Sequence, residues 1–115
     1  MLVLFDHGTP KGLARALTQH TVHTAQSRGW DTLSNGALLD AAEEAGFELL
    51  ITTDRRIRHQ QNLWDRRIAL VVLTGSTKWS LVRRHADRVA AALVAATPGS
   101  YSEVNIPFEP KPRRR

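Results

Sequence analysis

The run Ile68-Ala69-Leu70-Val71-Val72-Leu73, bounded by Arg67 before it and Gly75 after it, is the clearest strand in the sequence. Six consecutive apolar residues, half of them β-branched, read as a strand buried on both faces, as in a parallel sheet. Downstream, Leu81, Val82, Val89, Leu93 and Ala96 recur near helical spacing, which predicts a long helix over residues 79–96, stopped by Thr97-Pro98-Gly99. Residues 100–106 add an edge strand. Upstream, residues 48–53 form another short strand that stops at Asp54, and the apolar residues 1–5 form a third, broken by Asp6-His7-Gly8. Thr9 and Pro10 then start a helix of about two turns, Thr9 as its cap and Pro10 in its first position, with Leu13, Ala14 and Leu17 inward. Residues 20–25 are β-branched enough for a short strand. Ser34 caps the next helix, with Leu33 stapled onto Leu38; Leu38, Leu39, Ala42 and Ala45 face the core while Asp40, Glu43 and Glu44 face outward, until Gly46 ends it. Residues 55–62 are polar and form a short helix or a turn. Strands alternating with helices give an α/β fold, a three-layer α/β/α sandwich with a mostly parallel central sheet. The expected domain covers residues 1–106, followed by a basic, Pro- and Arg-rich, disordered tail over residues 107–115.

With 115 residues the chain has room for one core. It holds no cysteine, which excludes a disulfide framework, a thiolate nucleophile and a Cys-ligated zinc. The apolar runs are strand-length and no secretory segment is expected, so the reading is a cytoplasmic protein without a membrane role. The net charge of +5 is unevenly spread. Residues 1–54 carry three Lys/Arg against seven Asp/Glu, net −4, and residues 55–115 carry thirteen against four, net +9. A basic half suits a polyanionic partner, and the Arg113-Arg114-Arg115 run adds salt-dependent, non-specific affinity.

Ligands of parallel sheets bind beyond the carboxyl ends of the strands, which singles out Asp6 and Asp54. Two neighbouring carboxylates repel, and a divalent cation between them removes the conflict. They form a candidate Mg²⁺ or Mn²⁺ site of the hard, oxygen-ligand type; position alone equally allows each Asp to cap the turn that follows it. Further oxygen ligands are sought on the second helix, at Asn35 in its first turn and at Asp40. His7 beside Asp6 is a candidate proton donor or acceptor, or a second ligand. Directly after Asp54 comes Arg55-Arg56-Ile57-Arg58-His59-Gln60-Gln61-Asn62, in which Arg55, Arg56 and Arg58 can hold phosphate and Gln60 can meet base edges of single-stranded RNA. A solvated helix face explains the same run. Trp64 and Trp79 either stack on bases or pack in the core.

Three stretches, Val3-Leu4-Phe5-Asp6-His7-Gly8-Thr9-Pro10, Asn35-Gly36-Ala37-Leu38-Leu39-Asp40-Ala41-Ala42 and Leu50-Ile51-Thr52-Thr53-Asp54, resemble the small bacterial PIN-like domains related to the VapC toxin ribonucleases. The resemblance spans roughly residues 1–96. It implies a PIN-like α/β/α sandwich, an acidic pocket holding Mg²⁺ or Mn²⁺, and metal-dependent hydrolysis of RNA, often by the toxin of a toxin–antitoxin pair, and PIN-like domains commonly form homodimers. Asp6 and Asp54 match the acids that end the family's first and third strands. His7, the Asn35-Gly36-Ala37 helix start and Arg56 stand where the family carries further acids. Two expectations follow. Either Asp40 replaces the missing helix acid, with Asn35 adding a neutral oxygen, and the site cleaves RNA as a ribonuclease, or the site has lost its metal and the module binds RNA or a partner protein without cleavage.

Overall fold

A computed structural model describes residues 1–60, 63 and 65–109, with Gln60 described by its backbone alone. Period-two burial along three central strands explains the layering. In β1 (Leu2–Phe5), Val3 and Phe5 face one side and Leu4 the other; in β3 (Leu49–Thr52), Leu49 and Ile51 oppose Leu50; in β4 (Ala69–Gly75), Ala69, Val71 and Leu73 oppose Leu70 and Val72. The first set packs on Leu13, Leu17, Leu81, Val82, Val89 and Leu93, the second on Leu38, Leu39, Ala42 and Ile57. Both faces are dry, and each fully buried Leu or Ile contributes about 1.5–3 kcal/mol. Two edge strands, β2 (Thr21–Thr24) and β5 (Tyr101–Ile106), complete a five-stranded sheet in the order β2-β1-β3-β4-β5, with every pair parallel. Helices α1 (Asn35–Glu44) and α2 (Ile57–Gln60) lie on one face. The 3-10 turn Lys11–Ala16, α3 (Trp79–Val82) and α4 (Ala86–Ala95) lie on the other. This is a three-layer α/β/α sandwich. Among the described residues no helix is long and apolar enough to cross a membrane.

Strand order matters more for function than strand count. From β1 the chain moves to β2 on one side, then crosses back over β1 to lay β3 on the other. The order reverses between β1 and β3, and connections from those two strands diverge at their carboxyl ends.

Local signals held at α1. Ser34 Oγ accepts from Ala37 N at 3.5 Å, Leu38, Leu39 and Ala42 are buried, and Gly46 follows in the left-handed region at φ 87°. Four details differ from expectation. Thr9 does not cap a helix: it is buried, and its hydroxyl donates to the Ile51 carbonyl at 3.0 Å, because a buried hydroxyl needs a partner and the end of β3 is the one within reach. The segment after it winds as a 3-10 turn over Lys11–Ala16. Ala45 is exposed, whereas Glu43 is drawn inward by Arg66, its Oε1 accepting from Arg66 Nη1 at 2.7 Å. The expected long helix is two, α3 and α4, joined by a 3-10 turn at Arg83–His85. No Pro or Gly marks that break; the tighter winding rotates α4 relative to α3, and Leu81, Val82, Val89 and Leu93 all reach the same core layer.

Candidate functional site

Asp6 immediately follows β1 and Asp54 lies two residues beyond β3, so both carboxylates stand at the carboxyl edge where the strand order reverses. Thr52, the last residue of β3 and fully buried, links the Asp6 carboxylate to the Asp54 backbone. Its hydroxyl donates to Asp6 Oδ2 at 2.7 Å and accepts from the Asp54 amide at 3.1 Å. The other Asp6 oxygen, Oδ1, accepts from the His7 amide at 2.7 Å, and the Asp6 amide donates to the Ile51 carbonyl at 2.9 Å. Among the described residues, Asp6 is thereby fixed by neutral donors, one on each oxygen.

Asp54 is held differently. Arg56 brackets it, with its amide and Nε donating to Oδ1 at 2.9 and 3.1 Å and Nη2 donating to Oδ2 at 3.3 Å. Asn35 Nδ2 adds a bond to Oδ2 at 3.0 Å, made possible because the Ser34 cap places Asn35 in the first turn of α1. The Arg56 fork, and then Asn35, hold the Asp54 carboxyl down at about 2 from an ordinary 3.8. A depressed carboxyl pKa stabilises the fold above the unfolded value and loses that contribution as pH falls from about 4 to about 2. Since the Arg56 side chain is 77% exposed, solvent screens the pair and keeps the contribution small. Urea midpoints measured between pH 6 and pH 2 are expected to show Asp54→Asn less stable at neutral pH and converging with the wild type at the acid end. Parallel curves would contradict this.

Asp40 does not join this pair. Its side chain is 75% exposed and its Oδ1 accepts from Arg66 Nη1 at 2.8 Å, in a cluster with Glu43. Five residues after Asn35, Asp40 is turned by roughly 140° about the helix axis and displaced by about 7.5 Å along it, so the helix that delivers Asn35 carries Asp40 away. Among the described residues no three His, Asp or Glu side chains gather into a group that could hold a metal ion. A complete protein cage is therefore missing, and the expected replacement of the helix acid by Asp40 is corrected. The two-carboxylate form still fits: Asp6 and Asp54 are hard oxygen donors, and Mg²⁺ commonly takes one or two carboxylates and fills its shell with water and substrate phosphate.

The arginines divide. Arg56 is on Asp54, whereas the Arg58 guanidinium lies 5.1 Å from the ring centroid of Tyr101, which pairs in register with Leu70 and so sits well down the sheet. Arg55 is exposed, and its charge, like that of Arg58, acts on Tyr101. Tyr101 donates to Glu103 Oε2 at 2.7 Å and is pushed up to about 12, first by burial and then by that bond. The Gln60 side chain, Gln61, Asn62, Trp64 and residues 110–115 lie outside the described residues. His7 is exposed and helps line a cleft of about 210 Å³ between the ends of β1 and β2, with Asp6, Thr9, Lys11, Thr24 and Gln26. Lys11 Nζ donates to Gln26 Oε1 at 3.3 Å across it. Sequence reasoning missed Thr52, Lys11 and Gln26. A hydroxyl ending an otherwise apolar strand two residues before Asp54 was the available sign for Thr52, and nothing local pointed to the other two.

A larger cleft, about 340 Å³, lies at the opposite, amino edge of the sheet and is lined by Met1, Phe47, Ala69 and Pro98 among others. Its two carboxylates are engaged in holding the fold. Glu43 Oε2 accepts from the Arg67 amide at 3.0 Å and Glu48 Oε1 from the Leu2 amide at 3.2 Å.

Fold and site together define a class: a doubly wound, all-parallel α/β domain with two carboxylates at its topological switch point. Compared with family models, curated proteins and solved structures, the chain matches none.

Proposed function

We propose that this chain is a PIN-like, Mg²⁺- or Mn²⁺-dependent ribonuclease acting on single-stranded RNA, with Asp6 and Asp54 as its cation-holding carboxylates. The observation that carries the reading is that Asp6 and Asp54 both stand at the β1/β3 switch point, where the Thr52 hydroxyl holds the Asp6 carboxylate and the Asp54 backbone amide. Asp6, fixed by the His7 amide and Thr52, keeps lone pairs on both oxygens for a cation; Asp54 supplies the second carboxylate. A divalent cation bound there supplies charge stabilisation to the phosphoryl oxygens under attack. The chain's own residues orient the substrate: Lys11 lines the cleft beside Asp6, and Arg56 brackets Asp54.

The surface around the site supports a single-stranded, unpaired substrate. Three of the large exposed apolar side chains, Leu33, Trp79 and Phe108, belong to segments at this carboxyl edge, before α1, after β4 and after β5 respectively. Trp79 is 37% exposed and packs its indole over Gly12, where a Cβ would collide with the ring. A fixed, part-exposed indole near Lys11 and Lys78 is the combination on which unpaired bases stack. The same reading carries an antitoxin partner, a homodimer and a cytoplasmic setting, as the PIN-like resemblance implies.

A second reading has its own support. With Asp54 closed by Arg56 and no third acid beside the pair among the described residues, the module binds RNA without cutting it. Incubating the purified chain with an end-labelled, unstructured RNA separates the two. The first reading expects cleavage in Mn²⁺ or Mg²⁺ that stops in EDTA; the second expects retention of intact RNA at low salt under both conditions. RNA neither cut nor retained would overturn both.

A further inference from the structure

Where the resembled family carries an acid, this chain carries Arg56, and the guanidinium is laid across the carboxylate a cation would need. Three donors of one residue are committed to one carboxylate: amide, Nε and Nη2, at 2.9, 3.1 and 3.3 Å, spanning both oxygens. Asn35 takes a further position on Oδ2. A divalent cation seeking Asp54 meets oxygens already bound to a positive charge. The closure is nevertheless shallow. Arg56 is 77% exposed, lies only two residues from Asp54, and its backbone amide bond to Oδ1 persists if the side chain swings away. Exposed pairs of this kind are weakly held. The planar fork that brackets a carboxylate fits a phosphodiester equally well.

We propose that Arg56 is a built-in counter-ion for Asp54, displaced by the divalent cation and drawn off by the phosphodiester of the substrate, so that cation and RNA bind with positive coupling. The proposal rests on the reading of Asp6 and Asp54 as the cation site. With no substrate present, Arg56 satisfies Asp54 and keeps cation affinity low. When an RNA phosphate arrives, the guanidinium exchanges one anion for another and Asp54 turns its oxygens to the cation. Coupling of binding free energies is reciprocal, so cation also tightens RNA. No covalent bond changes in this exchange.

Calorimetric titration of Mn²⁺ into the wild type and Arg56→Gln, each alone and with a non-cleavable 2′-O-methyl oligonucleotide, tests it. Glutamine keeps the amide that bonds Asp54 and removes the charge. Losing both the ion pair and the like-charge repulsion is expected to tighten Mn²⁺ about ten-fold in Arg56→Gln alone. The oligonucleotide is expected to tighten Mn²⁺ in the wild type and to leave Arg56→Gln unchanged. Anisotropy in EDTA is expected to show weaker oligonucleotide binding by Arg56→Gln. Equal Mn²⁺ affinity in the two proteins, with Mn²⁺ bound by both, overturns the counter-ion role and leaves the cation site standing. No Mn²⁺ bound by either at millimolar concentration overturns the cation site and this proposal with it.

Discussion

Asp6→Asn is expected to lower RNA cleavage by more than about 100-fold while leaving the protein folded, whereas Asp40→Asn stays within about two-fold of the wild type. The contrast follows from geometry. Asp6 stands at the switch point with neutral donors on its oxygens, the His7 amide and Thr52, so each oxygen keeps a lone pair open to a cation. Asparagine has nearly the same shape. Its oxygen can keep the bond from the His7 amide, and its amide group can donate to the Thr52 hydroxyl, which has a lone pair to accept it. The fold loses little, and the site loses half its negative charge. Asp40 has the same side chain, yet its charge is committed to Arg66, which Glu43 also holds. Initial cleavage rates with Mn²⁺ present, together with thermal melting of all three proteins, check both halves. Equal losses in the two variants would move the site towards α1 and overturn the two-carboxylate assignment.

Gly75→Ala is expected to cost about 3 kcal/mol of stability, the sum of a backbone and a packing penalty. Gly75 closes β4 at φ 80°, a conformation that an L side chain adopts only with strain, and a Cβ there would drive into the Ile106 carbonyl oxygen at the end of β5. That carbonyl accepts from the Ser76 amide at 2.9 Å, so it is not free to retreat. Gly46→Ala supplies the control. Its φ is 87°, similar to that of Gly75, but nothing lies within 4 Å of the added methyl, so only the backbone strain of about 1 kcal/mol is expected. Urea denaturation of both variants measures the difference. Equal losses would show that the collision with β5 is relieved by a shift of that edge strand.

The elements visible from local pattern are those whose cause is local. The apolar runs at residues 1–5, 48–53 and 68–73 became β1, β3 and β4 because alternate side chains of an extended chain fill both faces of a covered sheet. Ser34 and Gly46 framed α1 because cap and stop act within one turn of the backbone. What failed locally failed for a tertiary reason. Thr9 had the chemistry of a helix cap, but the end of β3 passes close enough to claim its hydroxyl. The single helix read over residues 79–96 is interrupted although no breaker residue lies inside it, since packing of α3 and α4 on one layer sets their relative rotation. Arg58 looked like a neighbour of Asp54 in a run of charges, but α2 turns it onto Tyr101, forty-odd residues away in the chain.

The same division runs through the site. By itself the sequence determined that Asp6 and Asp54 end strands, because an apolar run that stops at a carboxylate stops there whatever it is packed against. It also placed a basic half after an acidic one. Only the tertiary structure decided that β1 and β3 are neighbours across the switch point, that Thr52 reaches the Asp6 carboxylate, and that Asp40 belongs to Arg66. The physical reason is that a strand's burial is set by its own side chains, whereas the partner of a polar group is whichever donor the crossovers bring within 3 Å, and no local pattern records that.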